Sequence, residues 1–240
     1  MKLKDEFWAF IPARSGSKSI KDKNIKKLNN LPLIAYSLKV AKKIKKVKKI
    51  VFSSDSKKYF KIAEKYGFDI AHNRDKSTSS DNSDDLCVFQ DFLKKYNKIN
   101  HHLPKYFVHL RPTTPIRYAS TLNKSIEFFL KNKKNYSSMR SIKEMPETSF
   151  KSLRILEKKL CSILKKDFDL DKYNNSSQLY TTTYDADGTI DIYKTKNILK
   201  GTLLGNKVLP FTVKDLFSNI DNLEQFEYVE YLIKKIKYKV

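Results

Sequence analysis

Phe7-Trp8-Ala9-Phe10-Ile11-Pro12-Ala13-Arg14-Ser15-Gly16-Ser17-Lys18, running on to Asp22-Lys23-Asn24, is the stretch whose reading decides the fold. It is a short apolar strand that breaks into a polar loop rich in small residues. Small residues let backbone N–H groups approach an anion closely, and Arg14 and Lys18 add charge-assisted contacts. The stretch therefore suggests a phosphate cradle at the carboxyl end of a first β-strand. Its spacing alone fits a surface turn followed by a basic loop equally well.

Working outward, Leu31 to Ala41 has helical character with Pro32 in its first turn, and Lys49-Ile50-Val51-Phe52-Ser53 reads as a second strand ending at Ser54-Asp55. Ser56 to Tyr66 predicts a helix stopped by Gly67, Phe68 to Ala71 a short strand, and Asp84-Asp85 the start of a helix through Tyr96. Tyr106 to Leu110 is a fourth strand, broken by Arg111-Pro112-Thr113-Thr114-Pro115-Ile116-Arg117, with a helix from Ser120 to Leu130 beyond. This alternation predicts right-handed βαβ crossovers, hence a Rossmann-like, doubly wound, mostly parallel sheet covered by helices. Ligands of such sheets bind outside the carboxyl ends of the strands, where the loops 13–24, 73–85 and 111–117 and the end at Asp55 converge. Further strands are expected at 137–142, 188–193 and 208–213, and a helix at 222–233. Residues 146–184 are irregular and read as an inserted flap or dimerisation lobe within one 240-residue domain.

The net charge of +23 raises a nucleic-acid reading. The identity of the cations opposes it. Only Arg14, Arg74, Arg111, Arg117, Arg140 and Arg154 are arginines, and the lysines spread over every segment on what look like solvated helix faces. A planar guanidinium is not replaceable by lysine where it grips phosphate or carboxylate, and four of these arginines fall at or near strand ends. No apolar run is long enough to span a membrane, and the opening residues lack a secretory leader. Cys87 and Cys161 stand far apart without metal-ligand spacing, which fits a reducing cytoplasm. The four histidines show no triad-like arrangement; Cys87 and His109 read as core residues.

Pro12 to Lys18 with Lys23-Asn24 and Leu31-Pro32-Leu33-Ile34-Ala35-Tyr36 resembles the opening of the acylneuraminate cytidylyltransferases, the CMP-sialic acid synthetases related to the CMP-Kdo synthetases. The resemblance continues in order through Ser53-Ser54-Asp55, Arg74 with Ser80-Asp81, the loop Arg111 to Arg117, Asp187-Gly188-Thr189-Ile190 and Asn219-Ile220-Asp221. It implies a nucleotidyltransferase fold and a reaction in which CTP and a 2-keto-3-deoxy sugar acid of eight or nine carbons give a CMP-sugar and pyrophosphate, with Mg²⁺, in a homodimer. It implies that Arg14, Ser15, Gly16, Ser17 and Lys18 hold the triphosphate, Arg14 and Lys18 catalytically. It further places Asn24, Arg74, Ser80, Asp81 and Ser83 on the nucleotide, and Asp221 with Asn219 on the metal. Arg111, Thr113, Thr114, Arg117 and Asp187 fall on the sugar side.

Four departures from the family pattern matter. Arg111 stands where glutamine is common, so a guanidinium there is available to a carboxylate. Asn219 replaces an aspartate, removing a negative charge from the metal site. Ser19 and Lys21 replace glycine and proline at the far end of the first loop. Asp185 and Asp187 bring two acids near a site for an acidic sugar, which repels the sugar's carboxylate unless one acid holds metal or pairs with a lysine. Legionaminic- or pseudaminic-type acids are as well allowed as N-acetylneuraminate. A same-fold enzyme using another nucleotide or sugar, and a family member with lost activity, are the alternatives.

Overall fold

A computed structural model describes residues 2–78, 83–100, 102–163, 170–171, 176, 179–216 and 218–240. Its centre is a seven-stranded sheet in the order β11-β7-β10-β6-β1-β4-β5. The strands are β1 (Lys2–Pro12), β4 (Val47–Ser54), β5 (Ile70–Asn73), β6 (His102–His109), β7 (Ser138–Glu144), β10 (Tyr184–Lys194) and β11 (Val208–Thr212). β1 pairs in parallel with β4 and β6, β4 in parallel with β5, and β10 runs antiparallel to β6. The order therefore reverses at β1, and the crevice opens between the loops that follow β1 and β6. The predicted doubly wound sheet is present.

The apolar run at the start explains why β1 is central. Phe7, Ala9, Ile11 and Ala13 pack into one core cluster while Trp8 and Phe10 pack into another on the opposite face. A strand covered on both faces reads as a continuous hydrophobic run, and each large side chain buried this way contributes roughly 1.5–3 kcal/mol. The first cluster takes in α1 (Leu33–Ala41), α2 (Lys57–Ala63) and α4 (Ala119–Asn132); the second takes in α3 (Asp85–Ile99) and α5 (Thr195–Leu199). β1 starts at Lys2, five residues ahead of the apolar run, because its amino-terminal half pairs with His102–Pro104.

A third cluster positions the crevice. It gathers Leu28, of the small hairpin β2 (Lys27–Leu28) and β3 (Leu31–Pro32), with Phe226, Val229, Leu232 and Ile233 of α6 (Leu223–Lys235). Into it also go Ile20, Ile116 and Ile220, one from each of three loops carrying predicted site residues. These loops are held from beneath by shared burial.

Residues 142–186 form a second compact unit, with the remainder of the chain as the first. Within it, β8 (Leu153–Leu156) and β9 (Lys159–Ser162) pair as an antiparallel hairpin turning on Glu157 and Lys158, both at positive φ. The sequence offered no period here because the hairpin buries almost none of its side chains.

Candidate active site

The crevice is a cleft of about 200 Å³ lined by Arg14, Ser17, Lys23, Asn24, Arg74, Ser83, Asp85, Arg111 and Thr113, with Pro12, Val88 and Pro112. Four cations face one carboxylate, a balance suited to a polyanion. Arg14, Ser17, Asn24, Arg74, Ser83, Arg111 and Thr113 are brought together as expected, whereas Lys23 and Asp85 had no assigned role. Lys23 was visible as a loop cation; Asp85 was legible only as a helix-start acid.

The first loop is built from β4. Ser54 Oγ donates to the carbonyl of Ala13 at 2.7 Å, and Asp55 accepts from the Ser15 amide at 2.7 Å and the Ser15 hydroxyl at 2.8 Å. Both donors of Ser15 are thereby committed, so Ser15 sets the loop's shape rather than offering its N–H and O–H to phosphate. Asn24 Nδ2 donates to the carbonyl of Arg14 at 2.9 Å, closing the loop from the other side. Gly16 sits at φ 72°, a conformation that favours glycine, and Lys18 is exposed on the same loop. At the far end Asp22 is left-handed and accepts from Lys58 Nζ at 2.9 Å and Tyr59 Oη at 3.1 Å. That clamp, with Ile20 buried below, fixes the segment where Ser19 and Lys21 replace the usual residues. Removing the central clamp with Asp55→Ala is expected to lower stability by ~1–3 kcal/mol, since it strands two part-buried donors, and to lower kcat/KM about tenfold or more. Urea unfolding and steady-state kinetics read the two effects.

The histidines correct one expectation. Ser53 Oγ lies 2.9 Å from His72 Nδ1, and His72 Nε2 lies 3.0 Å from Asp91, the order of a hydrolytic triad. Ser53 is fully buried in β4, so the chain of bonds anchors the strand and offers no nucleophile. Burial pushes the His72 imidazole down to about 4 despite Asp91. His109 is buried as predicted but only half satisfied: Nδ1 lies 3.3 Å from the Tyr193 hydroxyl while Nε2 has no partner. Cys87 is exposed rather than core.

Arg74 is buried, pairs its guanidinium with the carbonyl of Thr78, and has Nε without a partner. Burial lowers its proton affinity, with Asp55 opposing. Ser83 donates to the carbonyl of Ser77 at 2.9 Å. Ser80 and Asp81 lie outside the described residues.

The second loop differs from the expected sugar-contacting arrangement in three places. Arg117 is almost fully buried and donates to the carbonyls of Thr189 (2.6 Å), Arg111 (2.8 Å), Gly188 (2.9 Å) and Thr114, and to the Ser37 hydroxyl (3.2 Å). It is a staple for the loop, held in a ring of neutral oxygens. Burial pulls it down to about 9, which leaves it charged at neutral pH. Thr114 is buried against Gly188, where any side chain's Cβ would strike the threonine Oγ1. Asp187 is buried too, accepting from Thr189 N at 3.0 Å, Thr189 Oγ1 at 2.7 Å and Ser141 Oγ. Three donors are why an acid is tolerated there, and they remove it from any contact with a sugar. Only Arg111 and Thr113 of this set line the cleft.

Arg111 itself is shared between two acids. Nη1 meets Asp191 at 2.9 Å and Nη2 meets Asp85 at 2.8 Å. Asp191 also takes Arg140 Nε at 3.0 Å and Nη2 at 3.1 Å, and the Tyr193 hydroxyl at 2.8 Å. Burial alone raises the Asp191 carboxyl, but Arg140 and Arg111 outweigh it and hold it down to about 2. An arginine is stable at position 111 because two carboxylates meet it, and it is not an unclaimed receptor for a third.

The third loop carries Asn219 and Asp221. Asn219 Nδ2 donates to Asp221 at 2.6 Å, and Asp221 is exposed. The helix cap of α6 is Asn222, whose Oδ1 accepts from Gln225 N at 2.8 Å, so Asp221 is not consumed as a cap. Ile220 donates its N–H to the carbonyl of Thr113 at 2.9 Å and accepts from Lys23 Nζ at 3.0 Å, which ties this loop to the cleft. Burial lowers the Lys23 ammonium's proton affinity, and Asp221 opposes it. One carboxylate with an amide oxygen two residues away is a hard-oxygen pair that fits Mg²⁺, which takes one or two carboxylates and completes its shell with phosphate and water.

The cytidylyltransferase family's sequence model matches residues 8–231. Among curated relatives, the post-translational flagellin modification protein B of Campylobacter coli is 28% identical, covering 96% of each chain. The CMP-N,N'-diacetyllegionaminic acid synthase of Legionella pneumophila is 27% identical over 89% of each. The pseudaminic acid cytidylyltransferase of Campylobacter jejuni is 28% identical over 93% of this chain and 94% of that one. The solved CMP:2-keto-3-deoxy-manno-octonic acid synthetase complexed with CTP superimposes with a TM-score of 0.69 at 11% identity, over 96% of this chain and 99% of that one, a likeness of fold. With the family match running from the second residue of the apolar run in β1 to the helix beneath the crevice, the chain belongs to the cytidylyltransferase family of nucleotidyltransferase enzymes.

Proposed function

We propose that this enzyme transfers CMP from CTP to the anomeric hydroxyl of an acidic nonulosonic sugar, releasing pyrophosphate with Mg²⁺. The observation that carries the reading is the cleft at the switch point, where Arg14, Lys23, Arg74 and Arg111 converge, in a chain whose full-length relatives are named for CMP-activating such acids. The anomeric oxygen forms a bond to the α-phosphorus, the bond from that phosphorus to the bridging oxygen of pyrophosphate breaks with its electron pair going to that oxygen, and the hydroxyl proton passes to water. No covalent enzyme intermediate is needed, so the protein's work is positioning and charge neutralisation. Arg14 and Lys18 neutralise the triphosphate, Asn24 holds the loop at the right distance, and Arg74 and Ser83 line the nucleotide's end of the cleft. Mg²⁺, when bound, withdraws charge from the phosphate oxygens; Asp221 and Asn219 would hold it. The second compact unit, with Ile155, Leu160 and Ile163 exposed, is the surface we assign to homodimer formation.

The test is pyrophosphate release with each of four nucleoside triphosphates and a panel of 2-keto-3-deoxy acids. Release with CTP and an N-acylated nonulosonic acid is expected, and a folded protein inactive with every pairing would sink the reading. The metal site has its own check. Asn219→Asp sets a second carboxylate beside Asp221, so the metal-free variant should be less stable than the parent while Mg²⁺ stabilises it more. We expect the half-saturating Mg²⁺ concentration to fall about tenfold, worth ~1.4 kcal/mol. Identical Mg²⁺-dependent melting curves for parent and variant would move the metal elsewhere.

A further inference from the structure

Lys95 of α3 makes three bonds through its ammonium: to the carbonyl of Asn73 at 2.9 Å, to Asp75 Oδ1 at 2.7 Å and to Asp91 Oδ2 at 2.9 Å. An ammonium has three donors, so all of them are spent. Two of the partners stand immediately before and after Arg74, the buried guanidinium in the wall of the nucleotide cleft. The segment that follows is a closed turn. The Thr78 N–H and hydroxyl both donate to the carbonyl of Asp75, each at 3.0 Å, and Arg74 donates to the carbonyl of Thr78. A backbone bond from Arg74 N to the carbonyl of Ser54 at 2.9 Å ties the turn to β4. The third Lys95 partner is itself fixed, since Asp91 also meets His72 Nε2 at 3.0 Å and His72 Nδ1 meets Ser53 Oγ at 2.9 Å. Ser53 and His72 are buried in β4 and β5, so the ammonium joins the turn to two strands of the sheet.

We propose that Lys95 is a positioning residue for the nucleotide: it holds the turn, and through the turn the Arg74 guanidinium, where CTP meets it. The inference rests on the proposed function and deepens it. Ordering Arg74 before the nucleotide arrives removes an entropy cost from binding. A contact of that kind serves ground and transition states alike, so its loss shows in KM rather than kcat. The pair with Asp75 is part-exposed, the Asp75 side chain 63% so, and exposed pairs add little to global stability. A role in binding therefore separates from a role in folding.

Lys95→Met keeps the aliphatic stem and removes the donors. It should weaken CTP binding, read by calorimetry without turnover, about tenfold and raise KM for CTP by the same factor. Turnover number, KM for the sugar acid and melting temperature should stay close to the parent's. Lys95→Arg should restore most of the loss, and Lys98→Met, at an exposed lysine of the same helix, should cause none. In an Arg74→Ala background Lys95→Met should weaken CTP binding by less than about twofold further, because the path through Arg74 is already cut. Amide exchange at Arg74 and Thr78 should quicken about tenfold in Lys95→Met while that of β1 is unchanged. Folded Lys95→Met protein with the parent's affinity for CTP, or a full tenfold loss added to that of Arg74→Ala, would overturn the assignment and leave the transferase reading standing. A parent whose CTP binding depends on Lys95 and Arg74 in this way, yet which releases no pyrophosphate with any pairing, would support the assignment and overturn the transferase reading.

Discussion

Arg14→Ala is expected to lower kcat/KM by about 10²–10³-fold, some 3–4 kcal/mol of transition-state stabilisation, which is the range for deleting one preorganised charge or donor at a reacting centre. The loop itself should survive. The bonds through the Arg14 carbonyl to Asn24, through the Ser15 amide and hydroxyl to Asp55, and through Ala13 to β4 all remain when the Arg14 side chain is cut back to Cβ. A melting temperature close to the parent's, with turnover collapsed, is the combined signature. Arg14→Lys should recover only part of the loss, since a point charge cannot reproduce a bidentate fork. Near-normal turnover in Arg14→Ala would show that the triphosphate lies elsewhere.

Asp191→Asn should act on the other side of the ledger, on stability. The buried carboxylate is the hub for Arg111, Arg140 and Tyr193, and its neutralisation leaves two guanidiniums facing each other without a shared counter-ion. Breaking such a buried pair costs about 3–5 kcal/mol. The pH dependence has a defined sign. The folded-state carboxyl sits at about 2 against an ordinary 3.8, so ionised Asp191 stabilises the fold above roughly pH 4 and that stability is lost as pH falls towards 2. The gap corresponds to about 2 kcal/mol. Parent and Asp191→Asn should therefore converge in stability in acid and diverge above pH ~4; parallel curves would show that the network is not held by this charge.

The fold was legible because β1 announces itself. Five consecutive apolar residues bounded by a small-residue loop fit a short strand buried on both faces, and Trp8 and Phe10 opposite Phe7, Ala9 and Ile11 are the structural form of that pattern. The cleft followed from the strand order. Individual roles were harder to read, because a side chain's partner decides its role and partners come from distant segments. Ser15, Thr114, Arg117 and Asp187 have residue types suited to ligands, yet each is bonded to or packed against groups contributed from 40 or more residues away, or by its own turn. Asp191 was invisible in a strand that looked merely apolar with one acid. It is tolerated only because Arg111 and Arg140 arrive from neighbouring strands. Asp221 has the residue type and position of a helix cap, but the adjacent Asn222 takes that duty.

The central claim is that the sugar's anomeric oxygen attacks the α-phosphorus of CTP. Carrying a heavy-oxygen label on the anomeric hydroxyl of the acid, with phosphorus NMR and mass spectrometry of the products, tests it most directly. The expected result is one new phosphodiester retaining the label in its bridging oxygen, and an equal amount of unlabelled pyrophosphate. Label lost to water, or CMP and phosphate formed without a sugar–phosphorus bond, would contradict it.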